Sequence, residues 1–425
     1  MSLGFYIIMA AQFFSSLADN ALLVAAIALL MQSDSPTWLT PYLKFFFVIS
    51  YVALAPYVGA FADRLPKGQV MFLANSVKVA GCAMMLFGAN PLAAYALVGL
   101  GAAAYSPAKY GILTEYLPPA RLVVANGWIE GLTVGSIILG TVLGGVLINA
   151  RVSGHLLSLN LPLLETGIDT PAEAAISVIA FIYVAAAAFN LYVPQTGVAL
   201  KPLPANPGDT LRDFYHCCQR LWTDRLGQIS LAVTTLFWGA GATLQFIVIE
   251  WARVALGFGL SRAAILQGVV AVGIALGAMV AAWRVPLDRS VRVIPLGILM
   301  GLVVIVMIFV RDVRIAVPLM ILIGGLAGFF VVPMNALLQH RGHNIMGAGR
   351  SIAVQNFNEN ASVLLMIAGY SALLSTGVSI YWVIAGFGLF IAGTQFLVLL
   401  WYRRNLRRHH EEIEALLEIA RSDKQ

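Results

Sequence analysis

The sequence predicts an all-α membrane protein with twelve transmembrane helices arranged as two pseudo-symmetric six-helix bundles. Three observations lead to this fold class: the composition, the number of apolar runs, and an internal repeat. Hydrophobic residues make up 60% of the 425-residue chain, charged residues only 11%, and the mean hydropathy is +0.85. A typical soluble domain carries about 25% charged residues. The composition therefore excludes a soluble globular protein.

Twelve apolar runs are each long enough to cross about 30 Å of hydrocarbon as a helix of roughly 20 residues. The first run has no basic segment before it and no small-residue cleavage site behind it. We therefore expect it to be a retained helix and not a signal peptide. The runs lie near residues 3–31, 41–62, 70–88, 91–117, 121–149, 173–194, 226–252, 262–284, 291–310, 315–338, 350–377 and 379–402.

The basic residues predict the orientation in the membrane. With both termini on one side, that side collects eighteen of the 26 Lys and Arg and the opposite side five, while Lys44, Lys78 and Lys109 fall inside runs. The positive-inside rule then predicts that both termini are cytoplasmic. This topology explains the net charge of +6, so we expect no nucleic-acid partner. We interpret Lys44 and Lys78 as snorkelling or interfacial residues.

A long polar connection after the sixth run divides the chain. It contains four Pro and Gly residues within 201–208, a composition typical of linkers. We therefore predict four segments: an N-terminal six-helix bundle, a cytoplasmic linker, a C-terminal six-helix bundle, and a basic, amphipathic cytoplasmic tail. Their bounds are 1–194, 195–225, 226–402 and 403–425.

An internal repeat relates the two halves, as in many transporters. Two residue pairs share the same separation along the chain: Pro107 with Pro333, and Lys109 with Asn335. Three further pairs share a second, slightly larger separation: Arg121 with Arg350, Asn126 with Gln355, and Glu130 with Glu359. Asp19 has no acidic counterpart near Ala242 in the seventh run. We therefore expect the charged residues that line a central cavity to lie mainly in the first half of the chain.

Polar residues inside the runs are the candidate substrate-binding residues. A charge at the centre of a membrane helix costs at least ~2.5–3.5 kcal/mol, so such groups should face protein or a water-filled cavity. Lys109 and Glu130 each lie nine residues from the cytoplasmic end of their helix, about 13 Å deep, and so can meet. For Asp19 the alternative is a structural node between helices. The candidates are Asp19, Asn20, Lys109, Glu130, Asn335, Gln355 and Glu359.

Two further features predict conformational gating. The segment after the second run, with Gly59, Asp63 and Arg64, resembles the loop motif G-x-x-x-D-R-x-x-[GKR] of the major facilitator superfamily. Its alternative is an ordinary charged turn. Pro107 and Pro333 each interrupt a helix and remove a backbone donor, so each is either a gating hinge or a plain kink.

Four segments resemble the bacterial lysophospholipid transporter family: LADNALL, GAAAYSPAKYGIL, GFFVVPMNALLQHRG and GAGRSIAVQNFNENASVLLM. The resemblance implies a flippase that moves lysophospholipids, such as lysophosphatidylethanolamine, to the inner leaflet of the bacterial inner membrane by alternating access. It also implies a cytoplasmic acyltransferase/acyl-carrier-protein synthetase acting downstream, and we expect a monomer. The family often has a basic residue where this chain has Gln245, so the resemblance gives Asp19 no charge partner on the seventh helix.

The chemistry of an enzyme or an ATP-driven pump is missing from the sequence. We find no phosphate-binding loop, no histidine pair at metal spacing and no G-x-S-x-G motif. We therefore expect no cofactor, no metal and no enzymatic activity. The alternative function is a proton-coupled transporter or exporter of a small amphipathic solute that uses Asp19 or Glu359. A third reading is a lipid-sensing or scaffold protein whose polar core is only structural.

Overall fold

The computed structural model describes residues 2–32, 40–158, 169–202, 206–258 and 260–421, and helices dominate this part of the chain. The helices are α1 Leu3–Gln32, α2 Thr40–Ala53, α3 Ala55–Arg64, α4 Lys67–Leu86, α5 Pro91–Tyr116, α6 Leu122–Ile148, α7 Ala150–Ser158, α8 Pro171–Leu191, α9 Pro207–Thr223, α10 Gly227–Leu256, α11 Leu260–Arg284, α12 Ile294–Val306, α13 Val313–Met346, α14 Ala348–Ser375, α15 Ile380–Arg408 and α16 His410–Arg421.

The described helices account for all twelve predicted runs. Nine spans are long and apolar enough to cross a membrane, and the bent pair α2 and α3 adds a tenth. The remaining two runs correspond to α5 and α14, which have 26 and 28 residues. These two helices are long enough to span but less apolar. They carry three of the seven candidate binding residues, Lys109, Gln355 and Glu359.

The second span bends by 65° between α2 and α3. Leu54 separates the two helices, and Pro56 stands in the first turn of α3. Proline has no backbone N–H and its ring clashes with the preceding turn, so it is favoured where a helix begins and disfavoured inside one. The local sequence therefore accounts for the break.

The described helices form two compact units. Unit 1 contains Met1–Ile112, Gly135–Asp213 and Ala348–Ala353. Within it, α8 packs against α1 and α4. A cluster of buried apolar side chains from these helices, with Leu22 and Ile179 fully enclosed, forms its core. Unit 1 thus includes most of the N-terminal half and the first turn and a half of α14.

Unit 2 contains Leu113–Val134, Phe214–Gly347 and Val354–Gln425. Its most extensive helix pairs are α11 with α13 and α12 with α15. Small residues allow the close approach of α11 and α13: a Cβ added at Gly273 would lie 2.5 Å from the Ile321 carbonyl oxygen. Such small-residue contacts are a usual basis of helix association in membranes.

The connection between the predicted bundles contains a helix. The sequence suggests a surface helix over 210–221, and the structure places α9 at Pro207–Thr223. Its Phe214, Cys217 and Leu221 are buried, while Arg212 and Tyr215 are exposed. The helix is therefore amphipathic and packed against protein along one side.

Candidate substrate-binding site

The strongest electrostatic feature of unit 1 is an ion pair between α1 and α4. The Lys78 ammonium lies 2.8 Å from Asp19 Oδ1 and 2.9 Å from Oδ2. The Lys78 side chain is 1% exposed and that of Asp19 21%. Removing one member of a buried ion pair is strongly destabilising, because the other charge is left without a partner. The pair therefore fixes a positive and a negative charge side by side among apolar helices.

Neighbouring polar groups complete a network around this pair. The Tyr183 hydroxyl donates to Asp19 Oδ1 at 2.6 Å, and Lys78 donates to Ser15 Oγ at 3.1 Å. Ser15 in turn donates to Asn75 Oδ1 at 2.8 Å. The rings of Tyr105 and Tyr183 lie 5.0 and 5.3 Å from the Lys78 ammonium, within cation–π range. α1, α4, α5 and α8 all contribute to this network.

The interpretation of Lys78 as a snorkelling residue is wrong. Its side chain is enclosed and cannot reach a membrane surface, whereas the Lys44 residue is exposed. The sequence did hold a signal: Asn75 and Lys78 are polar residues one turn apart in α4, and Ser15 and Asp19 are one turn apart in α1. Polar groups at helical spacing on two apolar helices predict a shared polar interface.

Two other candidates of the first half lie in unit 1. Asn20 donates to the Ser16 carbonyl of its own helix at 2.8 Å. Lys109 is half-buried in α5, and its ammonium lies 4.7 Å from the centre of the Tyr110 ring.

Unit 2 brings together the candidates of the second half. Gln355 donates to Asn335 Oδ1 at 3.2 Å and to Glu359 Oε1 at 2.8 Å. All three residues are buried, and so is Glu130, which acts electrostatically on Glu359. α6, α13 and α14 therefore share a polar, acidic group of side chains. The Gln355 carbonyl oxygen has no protein partner in the described chain.

Asp63 joins α3 to the start of α14 within unit 1. Its carboxylate accepts hydrogen bonds from the backbone N–H groups of Gly349 at 2.7 Å and Arg350 at 3.1 Å. The Arg350 guanidinium is 3.3 Å away, and Lys67 Nζ is 3.1 Å away. A carboxylate at a helix N-terminus satisfies free N–H groups and interacts favourably with the helix dipole. Asp63 thus caps α14 from another helix.

The other predicted gating residues of this loop lie differently. A Cβ added at Gly59 would lie 2.6 Å from the Ala353 Cβ, so only glycine permits this contact of α3 with α14. Arg64 is exposed. The buried basic residue beside Asp63 is Lys67, which also donates to the Ala62 carbonyl at 2.7 Å. Lys67 is the last position of the loop motif, and its burial differs from the surface position expected for the basic residues of this loop.

The two predicted hinge prolines stand inside continuous helices. Pro107 is buried in α5 and Pro333 is buried in α13, and both helices extend beyond them. Each proline lies two residues before a candidate polar residue, Lys109 or Asn335. Each proline therefore leaves the backbone carbonyl of the residue four positions earlier without its usual helical partner.

A contact that the sequence did not predict joins α6 and α13 in unit 2. Asn126 donates to Gln339 Oε1 at 2.9 Å, and Gln339 donates back to Asn126 Oδ1 at 3.1 Å. Both side chains are buried. Nearby, a Cβ at Gly127 would lie 2.8 Å from the Ala282 Cβ. The internal repeat identified Asn126. Its partner Gln339 lies on a helix of the other half and is not one of the repeat positions.

Comparisons with known proteins identify the family to which this chain belongs. The model of the Major Facilitator Superfamily matches residues 8–365. The chain belongs to the major facilitator superfamily. It is 42% identical over 381 residues to the lysophospholipid transporter LplT of Yersinia enterocolitica, with 89% of each chain covered. It is 43% identical over 371 residues to that of Pectobacterium carotovorum, covering 87% of this chain and 86% of the relative.

Solved structures of the superfamily agree with the predicted fold class. The transporter FucP in its outward conformation matches with a TM-score of 0.71 at 14% identity, covering 95% of this chain and 98% of FucP. The human organic anion transporter MFSD10 matches with a TM-score of 0.66 at 15% identity over 99% of this chain and all of its own. The fold class and the resemblance to lysophospholipid transporters are therefore confirmed. These relatives are transporters and not enzymes.

Proposed function

We propose that this chain is a lysophospholipid transporter that moves its substrate from the outer to the inner leaflet of a bacterial inner membrane. One observation carries the substrate assignment: identity above 40% over nearly nine-tenths of the chain to proteins named lysophospholipid transporters. The match to the family model, over residues 8–365, includes every candidate residue. The buried charges add independent chemical support.

The network around Asp19 suits a zwitterionic head group such as phosphoethanolamine. Its ammonium matches the Asp19 carboxylate and its phosphate matches the Lys78 ammonium, so the substrate can exchange partners with an existing ion pair. Such an exchange leaves no charge unpaired in the membrane interior. The buried Gln12 amide and Asn75 Nδ2 have no protein hydrogen-bond partner in the described chain and can bind head-group atoms or water.

The remaining predicted site residues complete the proposed head-group contacts. In unit 1 we assign this role to Asn20 and Lys109. In unit 2 we assign it to the polar group of α6, α13 and α14, where buried carboxylates suit an ammonium. These residues are Glu130, Asn335, Gln355 and Glu359.

An apolar cavity in unit 2 suits part of the acyl chain. It has a volume of about 250 Å³ and is lined by side chains of α10 to α15, including Phe237, Met300 and Ile323. Gln245 and Gln267 are polar residues of its wall. Gln245 stands where the family often has a basic residue. A neutral side chain there keeps the cavity compatible with a hydrocarbon tail.

The predicted gating residues fit transport by alternating access. We propose that the contacts of Asp63 with Gly349 and Arg350, and the Gly59 contact with Ala353, break when the substrate is released toward the cytoplasm. We further propose that both termini are cytoplasmic, that the domains are those predicted from sequence, and that the chain acts as a monomer. A cytoplasmic acyltransferase would then re-esterify the product.

Uptake of lysophosphatidylethanolamine by spheroplasts of a transporter-deficient bacterium tests the proposal. We expect cells that express the chain to take up the lipid with and without a protonophore. The Lys109→Ala variant should insert into the membrane but fail to transport. Uptake abolished by the protonophore, or competition by soluble amphipathic drugs, would favour the proton-coupled alternative. Undiminished uptake by Lys109→Ala would remove Lys109 from the site.

A further inference from the structure

Besides the apolar cavity, unit 2 contains a polar cleft, which lies far along the chain from the candidate transport residues. It lies where the C-terminal helix α16 packs beside the end of α15 and the segment Leu287–Val293 that precedes α12. Its volume is about 690 Å³. By the predicted topology it opens on the cytoplasmic face, so the inference below rests on the proposed orientation.

Three arginines line this cleft without an acidic partner. Arg289, Arg292 and Arg403 are exposed, and none forms an ion pair among the described residues. The fourth arginine of the cleft, Arg421, lies 3.1 Å from Asp288 Oδ2. Elsewhere in unit 2, Arg341 is paired with Asp224 at 2.6 Å. The cleft thus holds three guanidinium groups that no carboxylate of the described residues pairs with directly, although carboxylates also line the cleft.

Apolar side chains also line the cleft. Pro295, Leu399, Leu406 and Leu417 contribute to it. Farther along α12, Leu299 and Leu302 are 45% and 49% exposed, as expected for side chains that face lipid. A ligand that fills this cleft therefore meets both arginine side chains and apolar side chains. A membrane lipid has this combination of chemistry.

Helix α16 closes the cleft and adds negative charge to it. Its Ile413 and Ala420 are fully buried, and Glu412 lies 3.5 Å from Arg225. Two more of its carboxylates, Glu414 and Glu418, line the cleft, and His410 lies 3.4 Å from Glu414. These carboxylates repel an anionic ligand and so lower its affinity for the cleft.

We propose that this cleft binds the phosphate head group of an anionic diacyl lipid of the inner leaflet, as a site separate from transport. Arginine suits this role because its planar guanidinium binds phosphate oxygens in pairs. The negative surface potential of the cytoplasmic leaflet concentrates such lipids at basic juxtamembrane segments. The bound lipid would anchor α16 to the ends of α12 and α15.

Lipid binding to the full-length purified protein tests this site. Native mass spectrometry counts bound dioleoyl-phosphatidylglycerol during a titration, with dioleoyl-phosphatidylethanolamine as the neutral comparison. The variant Arg289→Ala/Arg292→Ala/Arg403→Ala should bind phosphatidylglycerol roughly 100-fold more weakly, about five-fold for each arginine. The matched control is Arg404→Ala/Arg407→Ala/Arg408→Ala, which removes the same charge from exposed positions outside the cleft and should change binding much less.

A second variant should change the lipid affinity in the opposite direction. Glu414→Gln/Glu418→Gln removes two opposing carboxylates and should tighten phosphatidylglycerol binding several-fold. An equal loss of phosphatidylglycerol affinity in the two arginine variants would show that the lipid is attracted by general surface charge. That result would overturn the proposal. Displacement of the lipid by excess inorganic phosphate would identify a free-phosphate site instead. Neither readout requires transport, so this test is independent of the proposed function.

Discussion

Lys78 and Asp19 are the residues on which the chemistry of unit 1 depends. The sequence predicted Asp19 as a candidate but assigned Lys78 to the membrane surface. A single lysine in an apolar run does not show how deep its side chain lies in the membrane. The structure adds the missing information, an Nζ–Oδ1 distance of 2.8 Å between α1 and α4. Pairing between helices that are distant along the chain depends on tertiary packing, which the local sequence does not encode.

Neutralising one member of this pair should destabilise the protein more than neutralising both. Asp19→Asn or Lys78→Met leaves a buried charge without its partner, at a cost of about 3–5 kcal/mol. The double variant removes both charges, and such replacements are often nearly neutral. Thermal unfolding in detergent measures the difference. Additive losses in the double variant would show that the two side chains do not depend on each other.

Asp63 should matter far more than its exposed neighbour Arg64. Asp63→Ala removes the cap of α14 and the contact with Arg350, each a charge-assisted interaction worth about 1.5–3 kcal/mol. We expect at least a ten-fold fall in lysophosphatidylethanolamine transport. Arg64→Ala is the matched control and should transport nearly normally. An equally large defect in Arg64→Ala would mean that net loop charge, and not the cap, controls gating.

The helices themselves were largely predictable from sequence. Apolar runs of spanning length correspond to the described helices because every backbone polar group in hydrocarbon must be satisfied within a helix. The bend between α2 and α3 was not predicted, although Pro56 marks it. The polar partner of Asn126 was missed for a different reason: Gln339 lies in another helix, and the repeat relates equivalent positions rather than contacting ones.

Two adjacent glycines of α6 provide a test of helix packing. Gly144 is buried against α1, where an added Cβ would lie 2.8 Å from both the Ala21 carbonyl oxygen and the Val24 Cβ. Gly145 is exposed and has no atom within 4 Å of an added Cβ. Gly144→Leu should therefore force α1 and α6 apart and destabilise the protein by at least ~1–3 kcal/mol, the usual cost of overpacking.

Gly145→Leu is the control and should be tolerated, because its side chain would face outward. The amount of folded protein after detergent extraction and its thermal unfolding temperature measure both effects. Equal tolerance of the two substitutions would show that α1 and α6 are not in close contact.

At the scale of the whole molecule, composition and repeat were enough to predict the fold class. The family and its lipid-transport relatives agree with that prediction. The detailed site was only partly predictable. The acidic and amide residues of unit 2 were recognised by their polarity inside runs, whereas the roles of Lys78 and Gln339 required the packing of helices that are distant along the chain. Intramembrane polarity thus identifies candidate positions but not their partners.

We propose that the buried charges of α1 and α4 recognise the lysophospholipid head group. Flipping of fluorescent lysophosphatidylethanolamine in proteoliposomes tests it most directly, with the Asp19→Asn/Lys78→Met double variant beside Lys44→Met. The double variant should remain folded but lose flipping, because both complementary charges are gone. Lys44→Met, which alters an exposed lysine of the same half, should flip at nearly the wild-type rate. Wild-type flipping by the folded double variant would contradict the claim.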